Sequence, residues 1–178
     1  KNNIDFAHFQ YIVPPIKRCI YINTIHDLLF IDYPKFFPLV YKIRNRILFL
    51  ISAKLSDYVL TVSQYSKSTI RQHFNIKNIL ITPNAVDSYF YEPYDKNDAR
   101  NLVKSKYGID NFWLYVSRWE PRKNHHFLLK VFTEYSYYKK YYLVLVGDDA
   151  IPNPDFDKLY NGLEKSVKEK VIILKKVN

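Results

Sequence analysis

Three cations lie close together where an apolar run ends: Arg118, Arg122 and Lys123 follow Tyr115–Ser117, with Pro121 between them. An amphipathic helical pattern starts near Asn124. An Arg leaving a strand grips a phosphate with its planar fork, and a Lys one turn later acts as a point charge on a second one. The N-terminus of the following helix adds backbone donors and a positive dipole end. The competing reading is a solvated basic loop, and placement at a strand end favours the phosphate grip.

A second candidate is His26-Asp27, also at the end of a β-branched run. A histidine there can hydrogen-bond a hydroxyl or move a proton. The alternative is a structural histidine followed by an Asp that caps the next turn. His125 and His126 invite a metal reading, but adjacent helical residues face different ways, and no spaced Cys/His/Asp set accompanies them. No metal site is expected, and one of the pair is expected near the bound phosphates. Ser63, with Gln64 and Ser66, reads as a helix N-cap because no G-x-S-x-G elbow surrounds it. No GxGxxG or Walker A pattern is present, so dinucleotide and P-loop readings lack an anchor.

The elements that must position these groups alternate. Strands are expected at Cys19–Ile25, Tyr58–Val62, Ile79–Thr82, Phe112–Val116, Tyr142–Val146 and Val171–Leu174. Helices are expected at Pro38–Leu55, Ser66–His73, Asp98–Tyr107 with Gly108 as its C′ residue, Asn124–Tyr135 and Phe156–Lys168. The helix at 124–135 should turn Phe127, Leu128, Val131 and Phe132 inward. The helix at 38–55 carries Leu39, Ile43, Ile47, Leu50, Ile51 and Leu55 at helical spacing, with Lys42, Arg44, Arg46 and Lys54 among them. Its wide apolar face is expected to pack in the core with the cations snorkelling outward, and it also suits a membrane surface. Residues 84–97 read as a linker. Apolar strands alternating with helices imply parallel sheets covered on both faces, with ligands beyond the carboxyl ends of the strands.

The formal charge of +10 is uneven. Residues 1–82 hold 11 Lys/Arg against 4 Asp and no Glu, whereas residues 83–178 hold 16 against 13 acids. A basic first half suits an anionic surface or substrate. Net charge alone is a weak argument for nucleic acid, and no nucleic-acid motif supports it, so no nucleic-acid partner is expected. Cys19 is the single cysteine, which fits a reducing compartment. No signal peptide is visible, and no run of about 18 apolar residues spans a membrane.

Five segments in order resemble the GT-B glycosyltransferases of family 4: TIHDLLFIDYP, DYVLTVSQYSKSTI, ILITPNAVD, YVSRWEPRKNHHFLLKVF and YLVLVGD. No one of them is specific; their order and spacing are. The resemblance implies an α/β fold of two Rossmann-like domains, each incomplete. Residues 1–85 would be the later part of an acceptor-binding domain and 86–178 the first part of a nucleotide-sugar-binding domain.

It further implies a retaining, metal-independent transfer from a nucleotide-diphosphate sugar to a glycan or lipid-linked acceptor, without a cofactor. Surface polysaccharide or lipopolysaccharide assembly is the implied setting. Arg118 and Lys123 match the pair that holds the donor diphosphate, and His26 matches a histidine near the transferred sugar. Gly147 and Asp148 match the strand end beside the donor nucleotide. Asn84-Ala85-Val86-Asp87 matches an N-G-V-D segment, and Ala85 would be strained if its φ were positive. The family's Gly-rich loop would precede Lys1 and its E-x7-E region would follow Asn178, so the expectation is an internal fragment, inactive by itself. The expected location is cytoplasmic, at the inner face of the membrane and in peripheral contact with anionic lipid. The rival class is a non-catalytic GT-B relic that binds anionic lipid or polysaccharide.

Overall fold

Strands form at runs rich in β-branched and aromatic residues. The computed structural model of the chain describes residues 4–177 and contains two units, one ending at Tyr91 and the other beginning at Glu92. The first holds strands β1 (Phe6–Gln10), β2 (Ile20–Thr24), β3 (Tyr58–Thr61) and β4 (Ile79–Ile81), all parallel and in the order β1-β2-β3-β4. The second holds β5 (Phe112–Val116), β6 (Tyr142–Val146) and β7 (Val171–Leu174), parallel and in the order β5-β6-β7. Helices flank both sheets, which gives the expected α/β arrangement of two Rossmann-like units with parallel sheets.

In the first unit, α1 (Leu29–Asp32), α2 (Leu39–Leu55) and α3 (Gln64–Phe74) cover the sheet. The core joins Ile25, Leu28, Phe30, Phe49, Ala53, Val59, Ile70, Phe74 and Ile79. Ser63 caps α3 as expected, its hydroxyl accepting from the Ser66 backbone N–H at 3.1 Å. Asn75 ends that helix in the left-handed region at φ 54°.

The sequence pattern missed β1, because FAHFQ alternates and is polar at His8 and Gln10. At the edge of the described sheet it half-buries one face, Ala7 and Phe9, and exposes the other, and that weak alternation is what the sequence carries.

Helix α2 has the expected bounds, and of its expected inward residues Leu50 packs on the core and Leu55 is half-buried while the rest turn outward. Its buried residues are Asn45, Phe49, Ser52 and Ala53, whereas Leu39, Ile43, Ile47 and Ile51 are exposed. The physical reason is that small and polar groups on this face meet backbone. The Ser52 hydroxyl accepts from the Val13 N–H at 3.1 Å, and Phe49 stacks on Tyr11.

In the second unit, α4 (Lys96–Tyr107) is capped by Asp95, which accepts from the N–H groups of Asn97 and Asp98, and ends at Gly108 with φ 70°. Helices α5 (His125–Glu134) and α6 (Pro154–Asn161) pack on the sheet through Leu129, Phe132 and Phe156, against Leu143, Leu145 and Val171. Two expectations are corrected here. The helix at 156–168 is broken at Gly162, and α7 (Lys165–Lys168) is a separate turn. Glycine is a poor helix residue, and the break still leaves Leu163 packed on the core and Val167 buried. Phe127 is 57% exposed rather than inward. Phe132 is buried and Leu128 packs on the core as expected, and His125 and Leu129 join Phe132 in one stripe at helical spacing.

Ala85 is not among the residues with positive φ, so the strain considered for it is absent. Among the described residues, no helix is long and apolar enough to cross a membrane.

Candidate functional site

The second sheet continues past its formal end. The Ser117 N–H donates to Val146 O at 2.8 Å, the Trp119 N–H donates to Asp148 O at 3.0 Å, and Trp119 pairs with Asp149 in an isolated parallel bridge. This extension carries Arg118 beyond the carboxyl edge of β5. Pro121, Arg122 and Lys123 then form one 3-10 turn, favoured by the preset φ of proline at its first position. The Tyr115 hydroxyl donates to the Lys123 carbonyl at 2.7 Å, so the strand holds the turn. Asn124 follows in the left-handed region at φ 55°, and α5 begins without a side-chain cap.

Charge within the cluster is sorted by a residue that the sequence reading passed over. Glu120 is buried, and its carboxylate lies 2.6 Å from Arg122 Nε and 3.8 Å from Arg118 Nε. Arg122 is therefore neutralised internally. The Arg118 side chain is 74% exposed, and Lys123 makes no ion pair among the described residues. Lys123 thus stays available to an outside anion, and Arg118, exposed and only loosely paired with Glu120, can turn to one. The signal for Glu120 was present in the sequence: one carboxylate two residues from each of two arginines.

Gly147 and Asp148 sit at the matching end of β6. A Cβ on Gly147 would collide with the Ser117 carbonyl oxygen and lie 2.7 Å from its carbonyl carbon. Its φ of 149° adds to the demand for glycine. Glycine here lets two strand ends touch. The Asp148 Oδ1 accepts from the Lys176 backbone N–H at 2.8 Å, and the Asp149 carboxylate pairs with Lys175 at 2.7 Å. Asp148 therefore has a structural task within the sheet edge, with one carboxylate oxygen engaged.

Beside this edge lies a cavity of about 400 Å³, whose lining includes Trp119, Asn153, Phe156, Tyr160, Ile173 and Lys175. That size suits a small organic ligand. The Trp119 ring stacks on His125 at 4.4 Å and meets Phe156 edge-on at 4.8 Å. Trp119 Nε1 and Asn153 Nδ2 are buried donors without a partner among the described residues. His125 is buried and forms a wall of the core. Burial pushes its imidazole below the ordinary value; the Lys123 charge adds to this, and a contact with the Ser117 backbone opposes it. Among the described residues no three His, Cys, Asp or Glu side chains gather as a metal set.

His26 belongs to the first unit, just past the carboxyl end of β2. Its ring lies 5.5 Å from that of Tyr11, and Asp27 Oδ1 accepts from the Leu29 N–H at 3.4 Å, as expected for a turn cap. Tyr11 was not legible as a site residue. It sits at the end of β1 with φ 64°, in a three-residue turn closed by Ile12 N–H to Gln10 O at 2.7 Å. Such a turn is strained for a bulky residue. Its phenol is pushed up to about 12, first by burial and then by the Asp27 charge.

No family model matches the sequence, and no curated protein sequence matches it. Solved structures do. Anabaena HepE in complex with UDP and glucose superposes with a TM-score of 0.65 at 19% identity, over 90% of this chain and 42% of that one. The same protein in complex with UDP-glucose gives 0.65 at 19%, over 90% and 43%. TarM gives 0.59 at 15% identity, over 91% of this chain and 29% of that one. The likeness is one of fold, and the chain spans less than half the length of either protein.

Proposed function

We propose that this chain forms part of a retaining glycosyltransferase of family 4 that takes a sugar from a nucleotide-diphosphate donor. The single observation that carries the reading is the pairing of Lys123, which makes no ion pair among the described residues, with Arg118, exposed and only loosely paired with Glu120 at 3.8 Å, next to the Trp119 cavity. The two cations would receive the diphosphate, and the cavity would receive the nucleoside. HepE in its UDP and UDP-glucose complexes supports UDP as the probe.

Breaking the anomeric bond leaves negative charge on the diphosphate. Cations fixed in advance stabilise charge as it develops, without reorganisation. Arg118 offers a fork to two oxygens, and Lys123, held by its turn, offers a point charge. In this mechanism the pair does the work otherwise given to a metal ion. His26 would hydrogen-bond the donor sugar, with Tyr11 beside it. The first unit would bind a glycan or lipid-linked acceptor at the inner face of an anionic cytoplasmic membrane, in surface polysaccharide or lipopolysaccharide assembly.

Calorimetric titration of the chain with UDP tests the donor site. Arg118→Ala and Lys123→Ala should each weaken binding about tenfold or more, as expected for charge-assisted phosphate contacts. In an active protein that contains this chain, either change should slow transfer on the order of 10²-fold. Unchanged binding and unchanged transfer in both variants would overturn the assignment. UDP binding with no transfer in that protein would favour the non-catalytic relic.

A further inference from the structure

The cavity beside Trp119 has an aromatic side made by Trp119, Phe156 and Tyr160, and the Phe156 and Tyr160 rings lie nearly parallel, 5.8 Å apart at 11°. Its volume of about 400 Å³ takes a ligand the size of a nucleoside. Every base has a π-face, so stacking on such a wall holds any of them and chooses none. Choice falls to the polar groups. Trp119 Nε1 and Asn153 Nδ2 are sealed from the open space. Lys175 and Asp149 pair with each other at 2.7 Å. Asp157 remains. It lines the cavity from the first turn of α6, is exposed, and makes no ion pair among the described residues.

A carboxylate accepts through two oxygens and donates nothing. The planar group that matches it offers two N–H donors side by side, as an arginine fork does. Among the common bases guanine does so, with its N1–H next to its N2 amino group. Uracil has one N–H between two carbonyl oxygens. Adenine and cytosine set an amino group beside a bare ring nitrogen, an acceptor that repels the second carboxylate oxygen. We propose that Asp157 reads the base of the donor nucleotide and that the cavity prefers guanosine diphosphate. The inference rests on the donor reading above and adds the identity of the base to it. The grip of Arg118 and Lys123 on a diphosphate is common to all nucleotides, so UDP still binds, more weakly. Ribose hydroxyls also donate to a carboxylate, but alike in every nucleotide, so a ribose contact leaves no preference among bases.

The test is calorimetric titration of the chain with GDP, UDP and ADP at one salt concentration. GDP should bind at least about tenfold more tightly than either of the others, the discrimination expected of one bidentate pair. Asp157→Asn should weaken GDP binding about tenfold or more and change UDP binding by less than about twofold. Asp155→Asn lies in the same helical turn and outside the cavity lining, and it should bind GDP as wild type does. That control separates reading of the base from the charge of the turn. The three nucleotides on the unaltered chain decide the matter even where a variant fails to fold. GDP and UDP binding equally well would overturn the base reading and leave the donor site standing. So would an equal loss for GDP and UDP in Asp157→Asn, the mark of a ribose contact. Binding of none of the three would overturn the donor reading as well.

Discussion

The Tyr115 hydroxyl reaches from β5 to the Lys123 carbonyl at 2.7 Å, so the strand and the cationic turn behave as one piece. Without this bond the turn is held by Lys123 N–H to Glu120 O at 2.9 Å and Asn124 N–H to Pro121 O at 3.1 Å. A lysine on a loose turn pays side-chain and backbone entropy when it grips an anion; a fixed one pays less. Tyr115→Phe removes only the hydroxyl and should cost about 1 kcal/mol of stability. UDP binding should weaken about three- to tenfold in calorimetry, with the far-UV spectrum unchanged. A variant that binds as wild type would show that the turn is held without Tyr115.

Gly147 and Gly108 predict opposite degrees of tolerance. At Gly147 an added Cβ runs into the Ser117 backbone, which is fixed by its own bond to Val146. Gly147→Ala should therefore cost about 2 kcal/mol or more in chemical denaturation, because backbone on both sides must move. At Gly108 nothing lies within 4 Å, and the cost is that of a left-handed C′ residue, about 1 kcal/mol. The two midpoints should separate accordingly.

Buried strands and capped helices were legible because their causes are local. YLVLV is apolar on both faces and becomes the central strand β6; Ser63 and Gly108 carry the propensities of cap and C′ positions. What stayed hidden depends on partners far along the chain. The outward face of α2 cannot be read from its own pattern, because the choice is made by Val13 and Tyr11 seeking Ser52 and Phe49. The cation cluster was legible as a cluster, yet its sorting required the position of Glu120. Tyr11 carried no signal at all, since its strained turn is a property of the backbone.

Glu120 should act on both stability and binding, in opposite directions. Its carboxylate is buried against Arg122 and near Arg118. Glu120→Gln keeps a hydrogen-bond acceptor but removes the charge, so it should destabilise the second unit by about 1–3 kcal/mol. The same change removes a negative charge from beside Arg118 and should strengthen UDP binding several-fold at low salt. Thermal denaturation and calorimetry on one preparation read both effects. A loss of stability with no gain in affinity would mean that the anion does not approach Arg118.

His125 sets a pH dependence with a definite sign. Its folded-state value lies below the ordinary 6.5, chiefly through burial, so the unfolded chain binds this proton more readily than the folded one. Stability rises with pH wherever the unfolded state holds more protons, so the contribution is fully present above about 6.5 and is lost as pH falls from there toward the lower folded value. The slope from one proton is at most about 1.4 kcal/mol per pH unit. His125→Phe keeps a ring against Trp119 and removes the titration, so the variant should lose this slope between about pH 7 and pH 5 while wild type retains it. Asp57 and Asp110 are held below the ordinary 3.8 by Lys17 and Arg100 respectively, and their contributions fade only in the more acidic range. Urea denaturation at stepped pH separates the two windows, and an unchanged slope in His125→Phe would place the titrating group elsewhere.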